Sequence, residues 1–235
     1  MSFPLRAALV LAALTAPLAP ASAEILLSQL ILDLGNGNGN GNGNGKSQRG
    51  DIEVFNNGKE RSYVVVEPFE VLDPGMPSER RVAERDPGKL GLLVAPTRMM
   101  LEPNQHKLLR VAMLGTPGSR ERVYRITVKP TAGEVSAEVS GLKILIGYEV
   151  LVMVRPAAQP ARLVGHRQGR SLTIRNEGNS SVELADGKQC STTTACTPLG
   201  GKRLYAGAEW TQTLSGEAAA DYMIVSPGGS TRQSF

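Results

Sequence analysis

Apolar and polar residues alternate along most of this chain in short runs, broken by Gly, Pro, Asn and Asp. A period of two puts every second side chain on one face of an extended segment, so such runs predict strands. Glu24–Leu34, Asp51–Phe55, Tyr63–Val66, Val71–Leu72, Leu92–Val94, Arg98–Leu101, Lys107–Leu114 and Val123–Lys129 all read this way. Turn signals such as Asn56-Asn57-Gly58 and Asp73-Pro74-Gly75 separate them. No amphipathic helix of useful length interrupts the series. Strands at this spacing without helices predict an all-β, antiparallel sandwich architecture.

The most telling run is the long strand expected over Leu142–Arg155. Leu142, Ile144, Ile146, Tyr148 and Val150 recur at period two and share a face, while Leu145, Leu151 and Met153 occupy the opposite phase. Both faces therefore carry apolar side chains. The domain's own core covers one face, and the other is expected to need a partner.

Pro156–Pro160 (PAAQP) has linker composition and divides the chain. The expected domains are 24–155 and a smaller one, 156–235, in which Leu172–Arg175, Ser181–Leu184, Leu204–Thr211 and Tyr222–Val225 are strands. Asn176-Glu177-Gly178-Asn179 and Pro227-Gly228-Gly229 mark turns. Gly35–Gly45 is a strict Gly-Asn alternation that builds no core and reads as a flexible loop. Lys46-Ser47 follows it, but a phosphate-binding loop needs a helix next, and here a strand is expected.

Residues 1–23 have the form of a secretory signal: Arg6, the apolar run Ala7–Leu14, and the small-residue site Ala21-Ser22-Ala23. Export with cleavage after Ala23 is the expectation. The charge balance of 26 Lys+Arg against 22 Asp+Glu is mild and without basic runs, so no nucleic-acid partner is expected. No segment has the length of an integral membrane span. Cys190 and Cys196 are the only cysteines, and in an exported chain they are expected to form a disulfide closing a small loop.

Catalytic chemistry is hard to assemble. His106 and His166 both read as turn-like loop histidines, no G-x-S-x-G elbow occurs, and Glu67 and Glu70 read as solvated carboxylates. No enzyme activity, metal or cofactor is expected. Arg155 is either a solvated strand end or a partner of Glu121 that locks two domains together. Arg110, Arg125 and Lys143 interrupt apolar runs, either as outward charges that blunt an edge or as cations lining an interdomain cleft and binding a partner's carboxylate.

Several ordered blocks resemble the periplasmic PapD-like chaperones of pilus and fimbria assembly. They are Val54-Phe55-Asn56-Asn57 with Tyr63–Glu67, Ala95-Pro96-Thr97-Arg98, Leu101-Glu102-Pro103-Asn104-Gln105, Leu109-Arg110-Val111, Arg120-Glu121-Arg122-Val123-Tyr124-Arg125 and Val154-Arg155-Pro156. In the second part only Leu172–Asn176 and Gly228-Gly229 are similar. The resemblance implies two immunoglobulin-like domains joined at an angle by a short hinge. It implies a chaperone that supplies a missing strand to pilus or fimbrial subunits and hands them to an outer-membrane usher, with a self-capped dimer when free. Leu142, Ile144 and Ile146, then Tyr148 and Val150, would be the donated residues. The family anchors the subunit's terminal carboxylate with an Arg on the first strand and a Lys four residues before the Arg155 position. Here those places hold Gln29–Leu32 and Leu151, so Arg110, Arg125 and Lys143 are the substitutes named. Of the family's interdomain network, Glu121 and Arg155 carry over, while the usual Asp near the chain end is replaced by Val225-Ser226-Pro227. The alternatives from other classes are a secreted immunoglobulin-like adhesion or carbohydrate-binding module, and an exported enzyme on a sandwich scaffold.

Overall fold

A computed structural model describes residues 24–35, 48–131, 144–192 and 195–235. The first strands are β1 (Ile25–Leu27), β2 (Ile31–Leu34), β3 (Arg49–Asn56), β4 (Ser62–Leu72) and β5 (Arg80–Val82). After the single-turn helix α1 (Pro87–Leu90) come β6 (Leu92–Ala95), β7 (Arg98–Leu101), β8 (His106–Met113), β9 (Arg122–Thr131) and β10 (Tyr148–Val154). They form a four-stranded sheet in the order β1-β3-β8-β6 and a six-stranded sheet in the order β2-β10-β9-β4-β5, with β7 also on β4.

The alternation in sequence explains how the two sheets close on each other. Ile52 and Val54 on β3, Leu109 and Val111 on β8, Ile126 and Val128 on β9, and Val150, Val152 and Val154 on β10 all point into one core. Asp51, Glu53, Leu108 and Arg110 take the opposite phase. Helix α1 is capped by Asp86, which accepts from the Gly88 amide at 2.8 Å. It ends at Gly91, whose φ of 74° only glycine adopts at little cost.

The second sandwich contains β11 (Leu163–Gln168), β12 (Ser171–Asn176), β13 (Val182–Cys190), β14 (Cys196–Leu199), β15 (Lys202–Leu204), β16 (Glu209–Thr213), β17 (Ala220–Ser226) and β18 (Gly229–Ser234). Its sheets run β11-β12-β16 and β14-β13-β17-β18, with β15 on β13. Tyr222, Ile174, Leu184 and Leu214 are buried in a core of their own. Cys190 and Cys196 are bonded and face each other across β13 and β14. The molecule is all-β, two immunoglobulin-like sandwiches joined at an angle.

Several expected boundaries differ. Glu24–Leu34 is not one strand: the chain switches sheets between β1 and β2, and Ser28 fixes the crossing by accepting the Glu53 amide at 3.0 Å on its hydroxyl. Leu204–Thr211 breaks at Tyr205–Ala208, where Gly207 has φ 78°. His166 lies in β11 opposite Thr173, not in a turn. The long strand is shorter than expected. Pairing begins at Tyr148, residues 144–147 precede it without sheet partners among the described residues, and Leu142 and Lys143 lie outside those residues.

Candidate interaction edge and interdomain cleft

Strand β10 has two unlike edges. On one side it pairs with β9 over its whole length, from Tyr148↔Val128 to Val154↔Arg122. On the other it pairs in parallel with β2, but only over Leu151–Val154. The Leu151 amide donates to Leu30 O at 2.9 Å, which closes that pairing. Tyr148–Val150 therefore keep an outer edge without a strand partner among the described residues, and the segment running into it carries Ile144 and Ile146, 61% and 40% exposed. Across the edge stand Leu30 and Ile31, 47% and 50% exposed. Exposed side chains of this size beside bare backbone form an apolar surface of the kind that marks interaction sites.

The row of alternating residues read from sequence is divided between two tasks. Ile144 and Ile146 face outward and Tyr148 is half-buried, while Val150 is fully buried in the domain's own core with Val152 and Val154. Val150 is therefore corrected: its phase points between the two sheets, so its side chain fills the domain's own core and has no access to a partner. The opposite phase is corrected too. Leu151 and Met153 pack with Val71 and Val123 under Tyr205 of the second sandwich, so the molecule itself covers that face.

Arg155 follows β10 and is buried at the junction. Its Nε donates to Asp33 Oδ1 at 2.9 Å and its Nη2 to Asp33 Oδ2 at 2.9 Å. Its Nη1 donates to Glu121 and, at 3.0 Å, to the Ser181 hydroxyl of the second sandwich. Glu121 also accepts from the Ser181 amide at 3.0 Å. Burial raises the Glu121 pKa above the usual carboxylate range, and the Arg155 charge opposes that only in part. The structure thus brings Glu121 and Arg155 together and adds Asp33, which the sequence reading missed. Its signal was a lone carboxylate inside the apolar run Ile31–Leu34.

The two sandwiches also exchange side chains. Met76, in the β4–β5 connection, packs on the second core, and Tyr205 packs on the first sandwich's sheet face. Beside them Arg120 donates to Ala206 O, and Asn179 donates to Ser119 O and Ala158 O at 2.8 Å each.

The cations named from sequence fall in different places. Arg110 is on the outward face of the four-stranded sheet, gripping Asp51 through two bonds of 2.8 and 2.9 Å that hold the Asp51 pKa below the usual range. It does not line the interdomain cleft, because β8 belongs to the other sheet. Arg125 is on the six-stranded sheet, 3.9 Å from Glu149, which Arg81 also holds at 3.0 Å. Glu67 and Glu70, read as solvated, are paired with Lys129 and Arg122. The cleft itself is a cavity of about 290 Å³ walled by Ile31, Met153 and Val225, with Asp33, Arg155 and Arg203 among its polar lining. Among the described residues no cluster of three or more side chains suited to a metal occurs, and no helix is long and apolar enough to cross a membrane.

The family model for pili and flagellar-assembly chaperones, PapD N-terminal domain, matches residues 43–160, about half of the sequence. The chain belongs to this family. It is similar to a CS1 fimbrial protein of Escherichia coli, 27% identical over 150 residues that span 61% of this chain and 63% of that protein. More than a third of that relative is thus left unmatched. Among solved structures, the class 5 fimbriae chaperone CfaA has a TM-score of 0.66 at 20% identity, covering 89% of this chain and 98% of that one. A chain of the Salmonella enterica complex of SafA pilin with the SafB chaperone gives 0.59 at 18% identity over 92% and 98%. One from the Acinetobacter baumannii CsuC–CsuE chaperone–tip adhesion subunit complex gives 0.57 at 12% over 90% and 98%. At these identities the likeness is one of fold.

Proposed function

We propose that this chain is a non-enzymatic periplasmic chaperone that caps pilus or fimbrial subunits by donating an extended strand, then passes them to an outer-membrane usher. After export and cleavage following Ala23, residues 24–155 form the donating domain and 156–235 the second. The observation that carries the reading is the bare outer edge of Tyr148–Val150, continued by exposed Ile144 and Ile146 and flanked by Leu30 and Ile31. A subunit lacking a strand gains main-chain hydrogen bonds from such an edge and fills its own groove with the alternating side chains. Leu142, Ile144 and Ile146 are the inserting residues, with Tyr148 at their inner end. Left unoccupied, the same edge favours a self-capped dimer.

Native mass spectrometry of the tagged chain, purified from the periplasm of its own host, tests this. A stoichiometric complex with a small exported β-rich subunit is expected for the wild type. Ile144→Glu is expected to fold, since that side chain lies outside the core, and to lose the subunit. A folded Ile144→Glu that retains it would sink the strand-donor reading.

A further inference from the structure

We infer that Arg203, a residue of the second sandwich, is the cation through which the cleft recognises a carboxylate of the client, an inference that rests on the chaperone reading. Two guanidinium groups line the cavity, and they differ in what they can offer. Arg155 has a side chain 4% exposed, with every nitrogen engaged by Asp33, Glu121 or Ser181. Taking it from those partners would strand the buried Glu121 carboxylate, which is costly. Arg203 is 25% exposed and held by one carboxylate, Glu183, which is itself 48% exposed and directly opposite it on β13. A pair that open to water contributes little, so Glu183 is released at small cost. Among the described residues the other end of the guanidinium, Nη1, donates only to the Met153 sulfur at 3.6 Å, a weak acceptor on the cavity wall. A carboxylate entering between Ile31, Met153 and Val225 would offer that nitrogen a charged acceptor away from bulk water. The second sandwich thereby takes a direct part in choosing the client.

The test is a competition. Isotope-labelled wild type and an unlabelled variant, each checked for folding by circular dichroism, share a limiting amount of the subunit that the wild type retains. Native mass spectrometry reads the partition. Arg203→Gln is expected to lose about tenfold to a hundredfold in relative affinity, and Arg203→Lys less, because it keeps the charge without the fork. Glu183→Gln, which frees Arg203, is expected to win more than its equal share. If Arg203→Gln and Glu183→Gln move the partition the same way, or neither moves it, the pair is structural and the inference falls. Appending two glycines to the subunit's chain end locates the carboxylate. A penalty seen with wild type but absent with Arg203→Gln assigns it to the terminus; an equal effect in both assigns it to an Asp or Glu side chain. Failure of the wild type to retain any subunit overturns the chaperone reading and this inference together, whereas retention without the Arg203 effect overturns this one alone.

Discussion

Glu121 accepts from Arg155 and from both the amide and hydroxyl of Ser181, yet burial outweighs the Arg155 charge and its pKa lies above the usual carboxylate range. Its second oxygen, Oε1, has no hydrogen-bond partner among the described residues. The folded state therefore holds a proton here more readily than the unfolded chain does. The resulting stability is fully present below the ordinary glutamate pKa and is lost as pH rises through the raised one. Glu121→Gln removes that slope. Urea midpoints of both proteins, compared from acid to neutral pH, should show the wild type losing ground to the variant across this window. A gap that does not change with pH would mean that Glu121 titrates like an exposed glutamate. The Glu121–Arg155 pair was legible because both residues sit in recognisable blocks. Asp33 and Ser181 were not, because one is a single carboxylate in an apolar strand and the other an ordinary serine, joined to Arg155 only by the fold.

The same corner is built twice. At the end of β3, buried Asn56 donates to Glu60 O at 2.8 Å and Leu101 O at 3.0 Å, and accepts the Gly58 amide at 2.9 Å. At the end of β12, buried Asn176 donates to Ser180 O at 2.8 Å and Leu204 O at 2.9 Å, and accepts the Gly178 amide at 2.9 Å. Each amide ties a turn to a strand far along the chain. Alanine at either site removes all three hydrogen bonds, one of them to the buried Leu101 or Leu204 carbonyl, so a loss of about 3 kcal/mol is expected from denaturant unfolding. Aspartate should rescue poorly, since it accepts from the glycine amide but cannot donate to the carbonyls. The Asn-x-Gly turns were readable from sequence, whereas their long-range partners were not. The period-two pattern also placed most strands, but it could not show that β1 and β2 belong to different sheets or that Val150 faces inward. Both facts depend on which neighbours pair, and alternation looks the same on an edge and in a core.

Across the whole molecule the junction is held by the Arg155 network, the Asn179 bonds and the exchange of Met76 for Tyr205. The Tyr205 ring covers Val71, Val123, Leu151 and Met153, so Tyr205→Ala is expected to uncouple the two sandwiches. Calorimetry should then resolve two unfolding transitions where the wild type gives one. A single transition in the variant would assign the coupling to the contacts that remain, the Arg155 network, the Asn179 bonds and Met76. Strand β2 has a consequence of another kind. It runs alongside Leu151–Val154 and uses the Leu151 amide, so the berth beside Tyr148–Val150 is walled at one end. If the chain donates this edge as proposed, a guest strand sliding along β10 halts at Leu30. On that reading the molecule carries its own ruler: a stop in the host, not the sequence of the guest, limits how far any guest can run.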